Sequence, residues 1–182
     1  MRYGQRLSRS RTSRIKMNGV AMDAGSRARS PIQFEPIGWV RGGRVDATKD
    51  DWGENRARIE LDATRFTPEA LLGLEQQSHI EVVYYFHLHA DEPVERGARH
   101  PRNRSDWPRV GIFAQRGRMR PNRIGVSVCS VIGTAGTVLE VCGLDAVDGT
   151  PVLDIKPVWS GNLPRGALRE PDWARELMAR YW

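Results

Sequence analysis

The chain has 182 residues, of which 40% are hydrophobic, and a formal net charge of +6 at neutral pH; that length and balance suit one soluble domain with a proper core. It holds no apolar run of the roughly 18 residues a spanning helix needs, and its basic N-terminus lacks the apolar stretch of a secretory signal. Two cysteines make no disulfide framework, which points to a reducing, cytoplasmic location.

The charge is unevenly spread. Residues 1–30 contain eight Lys or Arg and one acid, Asp23, among Ser, Gly and Ala. So few large apolar groups cannot offset chain entropy, so residues 1–31 are expected to form a disordered basic tail ahead of one folded domain, 32–182. Such an arm can touch RNA or be dispensable, and Met17 and Met22 offer later starts.

The fold is expected to begin at Ile32 or Phe34. Phe34–Arg41 reads as a short strand, and Pro36 near its start favours a sheet edge. Arg56–Leu61 alternates polar and apolar residues and reads as a second strand. Thr67 and Pro68 suit the cap and first turn of a short helix reaching Gly73. Ile80–His89 is nearly continuous in apolar and β-prone residues, as in a barrel strand, and places His87 and His89 on one face of it. Asp91–Pro108, with three prolines, is a long irregular loop of the kind that carries function.

The stretch Val110–Val128 is the one around which the chain is organised. Val110–Gln115 alternates as a strand, Ile124–Ile132 is a second Val-rich strand, and between them Arg116–Arg123 is a loop with four arginines. Thr137–Val141 pairs back on Val126–Ile132 through a Gly133–Gly136 turn. A hairpin centred near residues 135–136 would set Cys129 opposite Cys142, both read as small core residues. Asp148-Gly149 marks a turn before a short strand. In Pro171–Trp182, Trp173, Leu177 and Tyr181 recur at helical spacing, an amphipathic helix that docks on the sheet or on a second subunit. Roughly seven short strands and two helices imply a mainly β protein, a single-sheet β-barrel with a short helix after the second strand and a C-terminal helix.

No G-x-G-x-x-G follows a strand, and there is no G-x-x-x-x-G-K-[ST], C-x-x-C or G-x-S-x-G, which excludes the usual dinucleotide, P-loop and nucleophile-elbow sites. His87 and His89 lack a neat set of carboxylates nearby, so no metal is expected. From Arg96 to Arg123 nine arginines face one acid, Asp106, a patch that phosphate backbones select. With only three lysines in the chain, part of that count reflects a general use of Arg over Lys. Asp145 and Asp148 would project from the barrel rim near the arginine loop, where a carboxylate can cap a turn, orient a polar ligand or accept a proton.

Taken in order, Phe34-Glu-Pro-Ile-Gly38, Gly73-Leu-Glu75 with Ser78-His79, Phe86-His87, Gly111-Ile-Phe-Ala with Arg116, Arg120-Pro-Asn122 with Ile124-Gly125 and Ser127, and Asp148–Pro157 resemble the TsaA-like β-barrel tRNA methyltransferases, the TrmO family. The resemblance covers about Phe34–Pro157. It implies a closed sheet that binds S-adenosylmethionine, works as a homodimer and methylates N6 of threonylcarbamoyladenosine beside the anticodon of tRNA. By position it implies cofactor contacts at His87, Leu88, Arg116, Val126, Asp148, Gly149, Thr150 and Pro151. Arg116 can grip a carboxylate such as the methionine end of the cofactor. The proton acceptor is then one of Asp148, Asp145 and His87, and the anticodon arm would meet Arg118, Arg120, Asn122, Arg123, Arg99, Arg102 and Arg104. The chain departs from the family at Arg116-Gly-Arg-Met-Arg120, often Arg-Ser-Pro-Phe-Arg, and at Arg123, often Pro. Asp51-Trp-Gly-Glu-Asn55 stands where the family has a Pro-Arg-Gln cofactor loop. Two other readings stay open: a non-catalytic RNA-binding barrel, and an enzyme acting on a small molecule.

Overall fold

The structure, a computed structural model, describes residues 31–47 and 50–182; nearly all of the expected basic tail lies outside the described residues. Phe34–Trp182 forms one compact unit. Its strands are β1 (Gly38–Arg41), β2 (Arg56–Leu61), β3 (His79–Tyr85), β4 (Ala98–Arg99), β5 (Val110–Gly111), β6 (Ile124–Ala135), β7 (Val138–Cys142) and β8 (Pro151–Pro157), with one α-helix among the described residues, α1 (Asp172–Met178). Six strands close an antiparallel barrel in the order β1-β2-β7-β6-β3-β8.

Closure corrects the edge expected at Phe34–Arg41. β1 pairs with β2 along its length and with β8 through Gly38 and Trp39, while Pro36 precedes the strand. Gly38 makes the close approach possible, because a side chain there would run into the Glu60 carbonyl of β2. The inward residues follow the strand period of two: Val40, Ala57, Ile59, Leu61, Ile80, Val82, Tyr84, Cys129, Leu139, Val141 and Val152 fill the barrel, joined by Leu71, Leu144 and Ala146.

The sheet has two irregularities in register. β3 and β8 slip register between Val83 and Tyr84, which pair with Asp154 and Val152. β6 and β7 slip between Val131 and Gly133, and their hairpin turns at Gly136-Thr137 with Gly136 at φ +61°. The turn therefore lies beyond the expected centre, and Cys142 pairs with Ser130 instead of Cys129. Cys129 is buried, its thiol pushed up to about 12 chiefly by burial; Cys142 is half-buried, and its thiol lies 3.4 Å from the Gly53 carbonyl.

Other expected elements are shorter. Val110–Gln115 keeps only Val110–Gly111 as strand, paired with β4, and Ile112–Ala114 is a 3-10 turn. The Gln115 amide donates to the carbonyls of Arg99 and Val110 and fastens that turn. β3 ends at Tyr85, so His87–His89 sits on a 3-10 turn and not on a strand face. Pro68–Leu71 is a single 3-10 turn, and Thr67 makes no side-chain cap bond. α1 docks on the long loop: Trp107 Nε1 donates to Glu176 at 2.7 Å and its ring meets Trp173. Among the described residues no helix is long and apolar enough to cross a membrane.

Candidate functional site

The register of β3 against β6 sets Tyr84 across from Gly125. With no side chain at Gly125, the Tyr84 ring takes the space a Cβ there would need, its hydroxyl directed at the segment between β7 and β8. There it donates to Asp145 Oδ1 at 2.6 Å, and Ser127 Oγ lies 3.4 Å from the same phenol oxygen. The other carboxylate oxygen, Oδ2, accepts from Tyr181 at 2.5 Å. Burial pushes the Asp145 carboxyl above the ordinary aspartate value, against the two phenols and the Arg116 guanidinium, which favour its charged form. Burial likewise raises Tyr84 and Tyr181, with the Asp145 charge adding to it, so both remain hydroxyl donors at neutral pH.

Asp148 has a different task. Its Oδ1 accepts the Gly42 backbone N–H at 2.8 Å, and its own N–H donates to the Arg44 carbonyl. Gly149 and Thr150 donate theirs to Val40 and Val147, so every N–H of the Asp148–Thr150 turn is satisfied within the protein. The turn can offer a ligand its shape and its carbonyl oxygens. Gly149, at φ +77°, leaves the space beside the His87 ring open: a Cβ there would stand 3.7 Å from His87 Nε2. Burial and the neighbouring His89 lower the His87 pKa, outweighing the opposing pull of Asp148, so the ring is neutral near pH 7. His89 turns to another partner, Glu92, at 2.8 Å.

Arg116 is exposed and donates from Nη2 to the Val126 carbonyl at 2.8 Å, which fixes the guanidinium in the field of Asp145 and Tyr181. The expected site residues thus fall into two joined groups on one short segment, with His87 at the Asp148–Gly149 end and Arg116 at the Asp145 end. Leu88 stands exposed on the His87 turn, and the Val126 side chain sits outside the barrel, on the face shared with Val83.

The arginine patch is more occupied than its sequence suggests. Arg102 is clamped by Asp50 at 2.6 and 3.0 Å, Arg118 lies 3.9 Å from Glu92, and Arg104 pairs with Asp106 while stacking 4.0 Å above Trp107. Arg99 donates to Asn103 and Arg120 to the Gln115 carbonyl. Arg123 is buried, held by the Glu92 carbonyl through Nη2, with Nη1 lacking a hydrogen-bond partner among the described residues. Asp50 and Glu92 come from outside the Arg96–Arg123 window, so counting charges within it misses them. Asn122, Arg104, Arg116 and Arg118 remain exposed.

Tyr84 and Tyr181 are absent from the expected site. Sequence pattern shows Tyr181 only as part of an apolar helix face, although its hydroxyl is the one feature an apolar face does not explain. Two clefts are lined by other residues. One of about 370 Å³ is lined by Arg44, Val45, Asp46, Asp50 and Asp51, in the loop that stands where a Pro-Arg-Gln segment was expected. The other, about 260 Å³, lies on the outer face of β3, β6 and β8 beside Val128, Val158 and Leu163.

A closed six-stranded antiparallel barrel, with a buried carboxylate, an imidazole and a guanidinium gathered about the segment between β7 and β8, defines a β-barrel protein distinct from mononucleotide-type folds. Residues 49–161 match the family model described as the tRNA-methyltransferase O N-terminal domain, and the chain belongs to that family. A Methanothermobacter thermautotrophicus protein named for S-adenosylmethionine binding is 35% identical over 131 residues, 70% of this chain and 90% of its own length. A tRNA (adenine(37)-N6)-methyltransferase of Mus musculus is 30% identical over 144 residues, 75% of this chain and 32% of the mouse protein. A crystal structure of TrmO from Pseudomonas aeruginosa superposes with a TM-score of 0.61 at 32% identity, covering 76% of this chain and 61% of that one. The chain thus spans less than two thirds of the mouse protein and of the crystallised one, and most of the archaeal relative.

Proposed function

We propose that this chain is an S-adenosylmethionine-dependent tRNA methyltransferase acting on N6 of an adenosine beside the anticodon, with threonylcarbamoyladenosine as the substrate base. The observation that carries the reading is the Asp145 carboxylate, held by two phenols next to Arg116, in a barrel of this family. The residues fit the cofactor. Arg116 has nitrogens to spare for a carboxylate after its one bond to Val126. Gly149 leaves open the space beside the neutral His87 ring, and Leu88 adds an apolar surface. When bound, the cofactor supplies an electrophilic methyl group, its C–S bond breaking as a C–N bond forms and the electron pair staying on sulfur.

The chain's residues then align and deprotonate. Displacement at carbon needs proximity and a straight approach, which fixed groups such as Arg116 and the Asp148–Pro151 turn provide. The attacking nitrogen must lose a proton, and Asp145, whose carboxyl is raised above the ordinary aspartate value by burial, is the first candidate acceptor. His87, neutral, is the second candidate. Arg118, Arg120 and Asn122, with Arg99 and Arg104, supply the RNA contacts; Arg102 and Arg123 support that surface from within.

The same reading takes the protein as a cytoplasmic homodimer, with Val128, Ile132, Trp159 and Leu163, all exposed apolar side chains, available to a second copy. The test is titration calorimetry of the full chain with S-adenosylmethionine, followed by mass spectrometry of tRNA nucleosides from cells with and without the gene. No binding by the intact protein sinks the proposal; tRNA binding without cofactor binding selects a non-catalytic barrel instead.

A further inference from the structure

Tyr181 lies outside the residues that carry the family match, yet it supplies half of the hold on Asp145. Several independent contacts fix it. The Trp52 N–H donates to the Tyr181 carbonyl at 2.8 Å, and the Asp51 N–H does the same to Arg180. The phenol ring packs edge-on against Trp182, with ring centres 5.0 Å apart, and the Arg102 guanidinium lies 6.0 Å from it, itself anchored on Asp50. Upstream, Trp107 ties α1 to the long loop through Glu176. A side chain needed only to cover apolar surface would not require its hydroxyl to be placed this way.

The geometry points to Tyr181 as a positioning residue: the C-terminal segment delivers its hydroxyl to Oδ2 while Tyr84 takes Oδ1, and together they hold Asp145 charged and in one orientation as the site's proton acceptor. The acceptor role rests on the function proposed above; the coupling between Tyr181 and Asp145 does not. Four titratable or charged groups face the carboxylate: Tyr84 from β3, Cys129 from β6, Arg116 from the loop before β6, and Tyr181. Cys129 and both phenols are shifted upward and stay neutral, so Arg116 is the cation and the phenols are the donors. Removing the Tyr181 hydroxyl leaves burial opposed by fewer groups, and Asp145 protonates more readily.

The test is a carbon-13 NMR titration of the Asp145 carboxyl in the full, cofactor-free chain, with Asp145→Asn identifying the resonance. In Tyr181→Phe the midpoint moves upward by about half a pH unit or more, and the acid limb of the kcat/KM profile for methyl transfer to tRNA moves the same way. 3-Fluorotyrosine placed at position 181 alone is a stronger donor, keeps the ring packing, and moves the midpoint downward. A midpoint unchanged in both variants overturns the inference. A shifted midpoint in a chain that neither binds nor uses S-adenosylmethionine refutes the transferase reading and leaves the coupling standing. Methyl transfer with an unmoved midpoint and acid limb refutes the role of Tyr181 and leaves the transferase reading standing.

Discussion

Tyr84 lies against Gly125, its neighbour across β3 and β6, and a methyl group at position 125 would stand 2.3 and 2.4 Å from two ring carbons and 2.9 Å from the hydroxyl oxygen. The glycine is therefore what allows a phenol inside the barrel to reach Asp145. Gly125→Ala forces the ring aside in a packed interior, and overpacking of this kind costs about 1–3 kcal/mol. Chemical denaturation will show that loss, and the Asp145 carboxyl will titrate at higher pH once the Tyr84 bond is broken. In the double variant Gly125→Ala/Tyr84→Leu, the smaller side chain leaves room for the methyl, and the two penalties do not add.

How much of this was legible in the sequence depends on the range of the interaction that decides each feature. β2 shows its strict alternation in both sequence and burial, Arg56 exposed and Ala57, Ile59 and Leu61 inward, so period alone placed it. The Val110–Gln115 segment alternates as well, but its backbone bonds go to Gly97 and its own 3-10 turn instead of a barrel neighbour. Local pattern carries no record of that choice. Likewise the β-prone run at Ile80–His89 does not reveal that the chain leaves the sheet after Tyr85. Arg116, His87 and Asp148 entered the expected site through separate short motifs of the family resemblance, and Asp145 through its place beside the Asp148 turn. Tyr181 did not, because its partner lies 36 residues away and is joined only by the fold.

Asp145→Asn tests the buried carboxylate through stability. The folded-state pKa of Asp145 is raised, so the native protein binds its proton more tightly than the unfolded chain. That contribution to stability is fully present below the unfolded value and is lost as pH rises through the folded one. The wild type should therefore gain stability relative to Asp145→Asn as pH falls from 7 into the carboxylate range. Urea midpoints measured at several pH values check it; a difference that stays constant with pH means the carboxyl is not perturbed in the native state.

Arg116 and the other arginines should separate cleanly. Arg116 is exposed, so Arg116→Ala leaves the melting temperature nearly unchanged but removes a charged contact worth about 1.5–3 kcal/mol to a bound carboxylate, roughly ten- to hundredfold in Kd for S-adenosylmethionine. Arg118→Ala should leave cofactor affinity alone and reduce the salt slope of tRNA binding by about 0.7. Arg102→Ala behaves as neither: it removes the two-point clamp on Asp50 and loosens the Tyr181 segment, with a stability loss on the order of 1–2 kcal/mol. Calorimetry, filter binding across a salt series and thermal melts distinguish the three.

Arg123 shows why restoring a family residue can do harm. TrmO-like sequences often carry Pro at this position, and consensus logic would favour Arg123→Pro, the more so because the Arg123 side chain is buried with one nitrogen lacking a partner among the described residues. The backbone argues the other way. Arg123 stands at φ +50°, while proline is confined near −65°, and its N–H donates to the Arg120 carbonyl at 3.1 Å, a bond proline cannot make. The carbonyl of the same residue accepts from Phe86, so the strain would pass to the end of β3 and the His87 turn beyond it. Arg123→Pro should cost about 3 kcal/mol or more and weaken cofactor binding along with stability. Arg123→Gly, which accepts a positive φ, should keep the loop geometry and lose only the side-chain bond to Glu92. Denaturation of the two variants side by side decides it: if proline is tolerated as well as glycine, the left-handed turn at this position is not what holds the arginine loop to the barrel.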